Sequence, residues 1–571
     1  MEQTERTKRR EIFAGSDPAI LSGRERDSTK VMSASSIAVP NYSATAVPRA
    51  VNPWIVALAV VIPTFMEVLD TTIANVALRH IAGGLSAAVT DGEWVITSYL
   101  AANAIILPIS GWLSIRLGRR NYFLLSILVF TIASTLCGMA TSLNMLIFSR
   151  ILQGLAGGGL QPSSQGVLLD AFPKEKQGAA QTVFGIAALL APVVGPTLGG
   201  YITDNYGWRW VFYINVPVGI LALVMCHALV FDPAYLKAQS AEARKQHRRF
   251  DTLGLTLLAI TMTSWEILLS KGQEWDWFGD PFLRVQLLAL LFVLGLGGLI
   301  LRETHYDNPL INFRTLKDTN FRVCCIIIFC AFATLYANTV SLPALLQSLF
   351  GYDATTSGLV LSPAGIFAII MLAIVGRLLA RGIDARYLMA TGLFVLGIGG
   401  YWMSKLNLEI SPWQIVWPRV VFIMGLSTIF APLNVAAFIN IPPQLRGAAV
   451  GLLALLRNEG GSVGTSVAQT IQERRDQFHS LRLGENLDPL NPAVNSYLDQ
   501  VQPGFLQQTG DPVAAKQMAL QTLANLREQQ SSALSYFDIF FIFAIVAVVL
   551  VGLVFFMKRS VTEKVTHVAA E

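Results

Sequence analysis

Residues 54–78 read WIVALAVVIPTFMEVLDTTIANVAL. About 20 mostly apolar residues suffice for one helix to cross the hydrocarbon core of a bilayer, and this stretch is long enough to do so. It nevertheless carries two acids, Glu67 and Asp70, and neither Lys nor Arg. At helical spacing Glu67, Asp70, Thr71 and Asn75 fall at i, i+3, i+4 and i+8, which predicts a single polar stripe on an apolar helix. A carboxylate at membrane depth is costly, and it normally faces a bundle interior or a wet cavity where it handles protons or ions. This helix is therefore read as the proton-handling element. The alternative is that its acids only bond to neighbouring helices to hold the bundle together.

The remainder of the chain agrees with a membrane setting. Of 571 residues, 53% are hydrophobic and 14% charged, with a mean hydropathy of +0.52, whereas soluble domains carry about 25% charged residues. The formal net charge of +5 does not point to nucleic acid, because the basic residues cluster between apolar blocks, where they act as an orientation signal. Cys137, Cys226, Cys324, Cys325 and Cys330 all sit in predicted membrane helices without CxxC or Cys/His spacing, so neither a disulfide framework nor a metal site is indicated. No GxxxxGK[ST] loop is present, which argues against a nucleotide-driven pump. No nucleophile–base constellation suggests an enzyme, and no cofactor is expected.

Fourteen spans are predicted near 54–78, 94–115, 121–140, 144–169, 178–202, 209–231, 252–270, 283–301, 322–348, 357–380, 386–404, 413–439, 447–471 and 536–557. With the N-terminus inside, the cytoplasmic connections hold eighteen Lys and Arg, from Arg116 to Arg446, against five in the short outer ones. That bias sets both termini in the cytoplasm. Residues 1–53 lack an apolar run and read as a disordered cytoplasmic tail rather than a cleavable signal, and 558–571 form a second cytoplasmic tail. A polar stretch, 473–535, falls on the outer side and is either a helical hairpin over the outer mouth or disordered.

A shift of 269 residues places Arg150 on Arg419, Pro173 on Pro442, Gly178-Ala179-Ala180 on Gly447-Ala448-Ala449, and Gly195 on Gly464. The offset exceeds six spans by about two helices. The fold is therefore expected to be all-α and membrane-embedded: six helices over 54–231, two inserted helices over 252–301, and six more over 322–557. Parallel repeats of six spans are a transporter signature, with the substrate site at mid-membrane between them.

Four motifs sharpen the reading. Residues 111–121, GWLSIRLGRRN, follow the second span, with Gly111 and Gly118 allowing close approach and Arg116, Arg119 and Arg120 at the inner face. The fourth span carries RILQGLAGGGLQP from Arg150. A buried Arg there needs an acid or a carbonyl, and Asp70 or Glu67 can supply it. The fifth span carries GIAALLAPVVGPTLGG over 185–200. Its Gly185, Gly195, Gly199 and Gly200 suit tight helix contact, and Pro192 and Pro196 suit a kink. Arg457, Asn458 and Glu459 open a thirteenth-span block, RNEGGSVGTS. They either line the cavity or form a local polar cluster snorkelling inward.

With these residues in order, the chain resembles the major facilitator superfamily, and within it the fourteen-helix drug:proton antiporters of the EmrB/QacA type. LDTTIANVAL resembles that family's helix-1 motif, GWLSIRLGRR the loop motif between helices 2 and 3, Arg150 with Gln153 and Gly154 the helix-4 motif implicated in proton transfer, and GPTLGG the helix-5 antiporter motif. WRWVFYINVP, FDTLG and ALSYFDIFF are further blocks of the same kind. The chain departs from the pattern at Ile115, where the loop motif usually has Asp, and at Ala191, where the helix-5 motif usually has Gly.

The resemblance implies a proton-coupled multidrug exporter of amphipathic or lipophilic compounds, working by alternating access in a bacterial inner membrane. It places proton coupling at Asp70 and Arg150, with Glu67 as an additional acid that attracts cations or raises the proton affinity of Asp70. The substrate cavity is expected to be lined by Asn75, Gln153, Arg457, Asn458 and Glu459. EmrB-type members work with a membrane-fusion adaptor and an outer-membrane channel, and QacA-type members act alone. The alternative on the same fold is a dedicated exporter or importer of one metabolite. Arg419, Glu266 and His227 read as structural.

Overall fold

The computed structural model describes residues 52–173, 176–245, 251–306, 309–442 and 445–559. The expected terminal tails therefore lie outside the described residues, except at 52–53 and 558–559. Everything described is helix or connecting turn. In chain order the helices are α1 (Pro53–Gly84), α2 (Val89–Gly92), α3 (Trp94–Leu117), α4 (Arg119–Gly138), α5 (Leu143–Gly157), α6 (Leu160–Ala171), α7 (Gln177–Tyr206), α8 (Trp210–Tyr213), α9 (Asn215–Leu229) and α10 (Ala234–Lys245). There follow α11 (Thr252–Lys271), α12 (Arg284–His305), α13 (Thr319–Ser348), α14 (Ala354–Leu361), α15 (Pro363–Ala380), α16 (Ala385–Met403), α17 (Pro412–Phe438), α18 (Arg446–Gly484), α19 (Pro492–Thr509) and α20 (Pro512–Val554).

Among the described residues, 11 helices are long and apolar enough to cross a membrane. The predicted spans that fall short have local reasons. The fourth is cut at Gly158-Gly159 into α5 and α6, α16 dilutes its apolar residues with glycines and Arg386, and α18 carries Arg457, Asn458 and Glu459 in the middle of its apolar stretch. Helix starts are set by side-chain caps. The carboxylates of Asp251 and Asp318 each accept at 2.8 Å from the backbone N–H three residues on, and Pro53, Pro412, Pro492 and Pro512 occupy first-turn positions where no N–H is missed. Large apolar side chains such as Leu287, Val293 and Leu294 of α12 stand more than half exposed. Apolar surface of that extent suits lipid and not water.

The 269-residue offset reappears as a two-fold arrangement. α3 packs on α18, and α7 packs on α15; shifting the first pair by the offset yields the second. On the axis, Gln165 Nε2 donates to Asn434 Oδ1 at 2.8 Å across 269 positions, so the two repeat mates bond to each other. α11 and α12 pack together, with Trp265 and Phe292 stacked at 4.5 Å, and α11 leans on α3 and α18.

The polar stretch 473–535 is not a separate piece. α18 continues through it to Gly484, α19 forms a crosspiece, and α20 begins at Pro512 and enters the apolar region without a break. Arg475 and His479 on α18 reach Asp538 of α20 at 2.5 and 2.8 Å. Loss of apolar residues marks where a helix leaves the bilayer, whereas the Ala, Leu, Gln and Arg content keeps it helical.

Candidate functional site

The polar stripe of α1 divides in two. Residues advance by about 100° on a helix, so Thr71 and Asn75 stay within about 80° of Glu67 on one side, while Asp70 lies about 60° away on the other. Asp70 turns towards α5 and α9 and away from open space. Arg150 Nη1 donates to its Oδ2 at 2.6 Å, and Gln153 Nε2 and Asn215 Nδ2 donate to its Oδ1 at 2.9 and 2.6 Å. Arg150 is held in turn by the Val95 carbonyl at 3.1 Å and the Gln153 amide oxygen at 2.8 Å, with its guanidinium 4.2 Å from the Tyr99 ring. Both members of the ion pair are fully buried. A pair so deep needs hydrogen-bond partners for its polar atoms, and both Asp70 oxygens and the Arg150 Nε and Nη1 have them.

Glu67 faces a cavity of about 250 Å³, together with Thr71, Asn75, Tyr336, Asn458 and Glu266. The cavity runs along α1 from Glu67 to Leu78, along α3 from Glu93 to Leu100 and along α18 from Asn458 to Gln469, so it occupies one half of the bundle and ends at Glu67. Tyr99 and Asn103 donate to Glu67 Oε1 at 3.3 and 3.2 Å. Gln161 donates to Glu67 Oε2, and Arg457 donates to the Gln161 amide oxygen. Arg457 also sits 5.5 and 5.7 Å from the rings of Phe184 and Phe332. The carboxylate on the first repeat is thus connected through one amide to a cation on the second.

The other half of the bundle is closed. A Cβ added at Gly111 would stand 2.7 Å from the Gly447 carbonyl carbon, so α3 and α18 touch backbone to backbone. The Asp missing at Ile115 is made good elsewhere: Arg119 pairs with Asp170 at the end of α6 and donates to the Gly166 carbonyl at 3.0 Å. The Arg120 N–H donates to Asp232 at 2.9 Å, and Gly118 holds φ +87 at the turn. Arg116 lies 5.7 Å from the Trp112 ring. On α7, Gly195 and Gly199 lie against Thr72 and Ile73 of α1, and Gly185 lies against Phe430. Pro192 and Pro196 are accommodated within a helix unbroken from Gln177 to Tyr206, and Gly200 is buried in the same helix.

Several expectations are corrected. The single polar stripe divides, and of the two acids offered as partners for Arg150 it is Asp70 that pairs with it. Gln153 is not a cavity residue; it is fully buried within the Asp70 network. Arg457 neither snorkels nor lines the main cavity, but points inward to a small adjoining pocket with Gln161. Glu459 stands behind the cavity wall, against Glu266 and Trp265. Asn75 and Asn458 do line it. Arg419 finds Asn338 in place of an acid, and the His227 carbonyl accepts from Arg120 at 2.8 Å. Tyr99, Asn103, Gln161, Asn215 and Tyr336 were missed, although a polar side chain inside an apolar run was the available signal for Asn103 and Gln161.

The Major Facilitator Superfamily profile matches residues 60–465. The chain belongs to that superfamily, in its EmrB/QacA-type branch. It is 36% identical over 506 residues to Multidrug export protein EmrB of Escherichia coli (strain K12), covering 88% of this chain and 95% of that protein. It is 34% identical over 512 residues to the probable multidrug resistance protein EmrY of the same strain, covering 90% and 96%. Its fold is similar to that of the proton:xylose symporter XylE, with a TM-score of 0.55 at 12% identity over 87% of this chain and 94% of that one.

Proposed function

We propose that this superfamily member is a proton-coupled multidrug exporter of amphipathic or lipophilic compounds, cycling by alternating access with Glu67 as the exchange carboxylate. One observation carries the assignment: of the two acids on α1, Glu67 faces the cavity, whereas Asp70 is sealed by Arg150, Gln153 and Asn215. Export of unrelated compounds is what the names of the relatives suggest. A cavity in which polar side chains such as Glu67, Asn75 and Asn458 share the wall with Leu78, Ile96, Leu100, Leu269 and Val340 fits amphipathic cargo.

The chemistry follows from the bonds at Glu67. While it is ionised, Glu67 accepts charge-assisted hydrogen bonds, and the Gln161–Arg457 link fastens the two repeats together. A proton or a cationic substrate neutralises it, weakens that link and frees the repeats to rock. Asp70 and Arg150 brace α1 against α5 through this step. In the orientation proposed from the charge bias, the cavity faces outward and the Gly111–Gly447 contact closes the cytoplasmic side. The chain then crosses the bacterial inner membrane fourteen times, with both termini inside and the 473–535 extension outside, where an adaptor leading to an outer-membrane channel would dock.

Inverted vesicles with an imposed pH gradient test the assignment, using one cationic and one neutral dye and matched protein levels. Glu67→Gln is expected to lose proton-driven export of both. Full activity in Glu67→Gln would sink the assignment.

A further inference from the structure

The acids around the cavity are not equally provided for. Asp70 has Arg150 at 2.6 Å. Glu93 has Lys271 at 2.7 Å, which also holds Glu274 at 2.5 Å. Glu67 reaches Arg457 through Gln161. Glu266 on α11 and Glu459 on α18 lie against each other with no cation paired to either among the described residues. Ser462 donates to Glu266 Oε1 at 3.0 Å, and Glu459 lies against Glu266 and the Trp265 indole. Glu459 is 5% exposed, and neither of its carboxylate oxygens has a hydrogen-bond partner of good geometry. Glu266 is part of the cavity wall, and beside it Asn458, another lining residue, has a buried amide nitrogen without a partner.

Two carboxylates in contact and out of water cannot both stay charged without a cation between them. The charged neighbours on the packed helices are already committed: Lys271 to Glu93 and Glu274, and Arg457 to Gln161. The missing positive charge must come from the cavity. We propose that Glu266, with Glu459 behind it, forms a second cation site at the wall of the cavity, which holds a shared proton when the cavity is empty and takes an organic cation against Glu266 in its place. The proton leaves to the cavity as the cation enters, so charge balances. The ring of Tyr336, which lines the same cavity, suits a flat or quaternary cation beside Glu266. The site also gives α11, which belongs to neither repeat, a part in binding. It rests on the reading of the cavity as a ligand site.

The test is ethidium binding to the purified full chain in nanodiscs, followed by fluorescence with proton release measured in weak buffer, and Nile red as the neutral comparison. Glu459→Gln and Glu266→Gln are each expected to weaken ethidium about tenfold (about 1.4 kcal/mol), reduce the protons released per ethidium, and leave Nile red affinity unchanged. The melting temperature of each Gln variant, measured in the same nanodiscs, distinguishes loss of the site from loss of fold. Unchanged ethidium affinity and proton release in both Gln variants would overturn the site while leaving the cavity reading intact. Equal loss of ethidium and Nile red at wild-type thermal stability would also overturn it. A wild-type protein that binds neither dye would overturn the cavity reading itself.

Discussion

Gly195→Ala is the smallest change that should disable the bundle. The added Cβ would stand 2.1 Å from Thr72 Oγ1 and 2.7 Å from Thr72 Cβ, well inside the about 3.5 Å at which non-bonded heavy atoms rest. Thr72 cannot swing aside freely, because its hydroxyl donates to Leu69 O at 2.9 Å and to Val68 O at 3.1 Å. Overpacking of this kind costs about 1–3 kcal/mol, and losing the hydroxyl bonds costs about 1 kcal/mol more. A combined penalty of about 2–4 kcal/mol reduces the population of this conformation at least about thirtyfold. The assay is dye export from vesicles, paired with thermal unfolding of the purified protein. Gly195→Ala is expected to lower both. Thr72→Ala removes the closest atom and should restore part of the loss in the double variant, as a non-additive term of at least about 0.5 kcal/mol. Wild-type export and melting in Gly195→Ala, or strict additivity with Thr72→Ala, would refute the reasoning.

Further outcomes follow from other parts of the molecule. Asp70→Asn strands the buried Arg150 guanidinium and is expected to destabilise the protein by about 3–5 kcal/mol, measured as lost folded yield and a lower melting temperature. Gly111→Ala pushes α3 from α18 at the Gly447 contact, so a single cysteine at Ser114 should react faster with a soluble maleimide. In the turn before α12, the hydrogen-bonded Arg284 holds the Asp280 carboxyl down to about 2. Because that value lies below the ordinary carboxylate value of 3.8, the stabilisation is complete at neutral pH and is lost progressively as pH falls from the ordinary value through about 2. Fluorescence of Trp275, which lies under the Arg284 guanidinium at 4.3 Å, should therefore hold steady from pH 7 to 4 and change below pH 3. A single cysteine at the exposed Ser496, in a cysteine-free background, should label from outside intact cells; labelling only after permeabilisation would reverse the orientation.

Much of the architecture was legible because a bilayer demands long apolar helices, and α1, α7, α13 and α17 declare themselves by composition alone. The repeat was visible through Arg150, Pro173 and Gly178 and their mates, which are residues whose side chains or missing side chains are hard to replace at helix contacts. What the sequence concealed was which way each polar group turns. Glu67 and Asp70 are three positions apart and looked like one stripe, yet that angular difference puts one in the cavity and the other in an ion pair. Asn215 and Gln161 became meaningful only once α9 and α6 were set against α1. Glu266 looked solitary and Glu459 looked part of a local block with Arg457 and Asn458, because 193 positions of chain, most of them in the second repeat, separate two side chains that meet.

The most direct test of the central claim is which acid of α1 the cavity can reach. The purified protein would be treated with dicyclohexylcarbodiimide, which modifies protonated carboxyls, and the modified peptides mapped by mass spectrometry with and without ethidium. The expected result is modification at Glu67, suppressed by ethidium and by raising the pH, with Asp70 unmodified behind Arg150. Modification of Asp70 with Glu67 untouched would contradict the account.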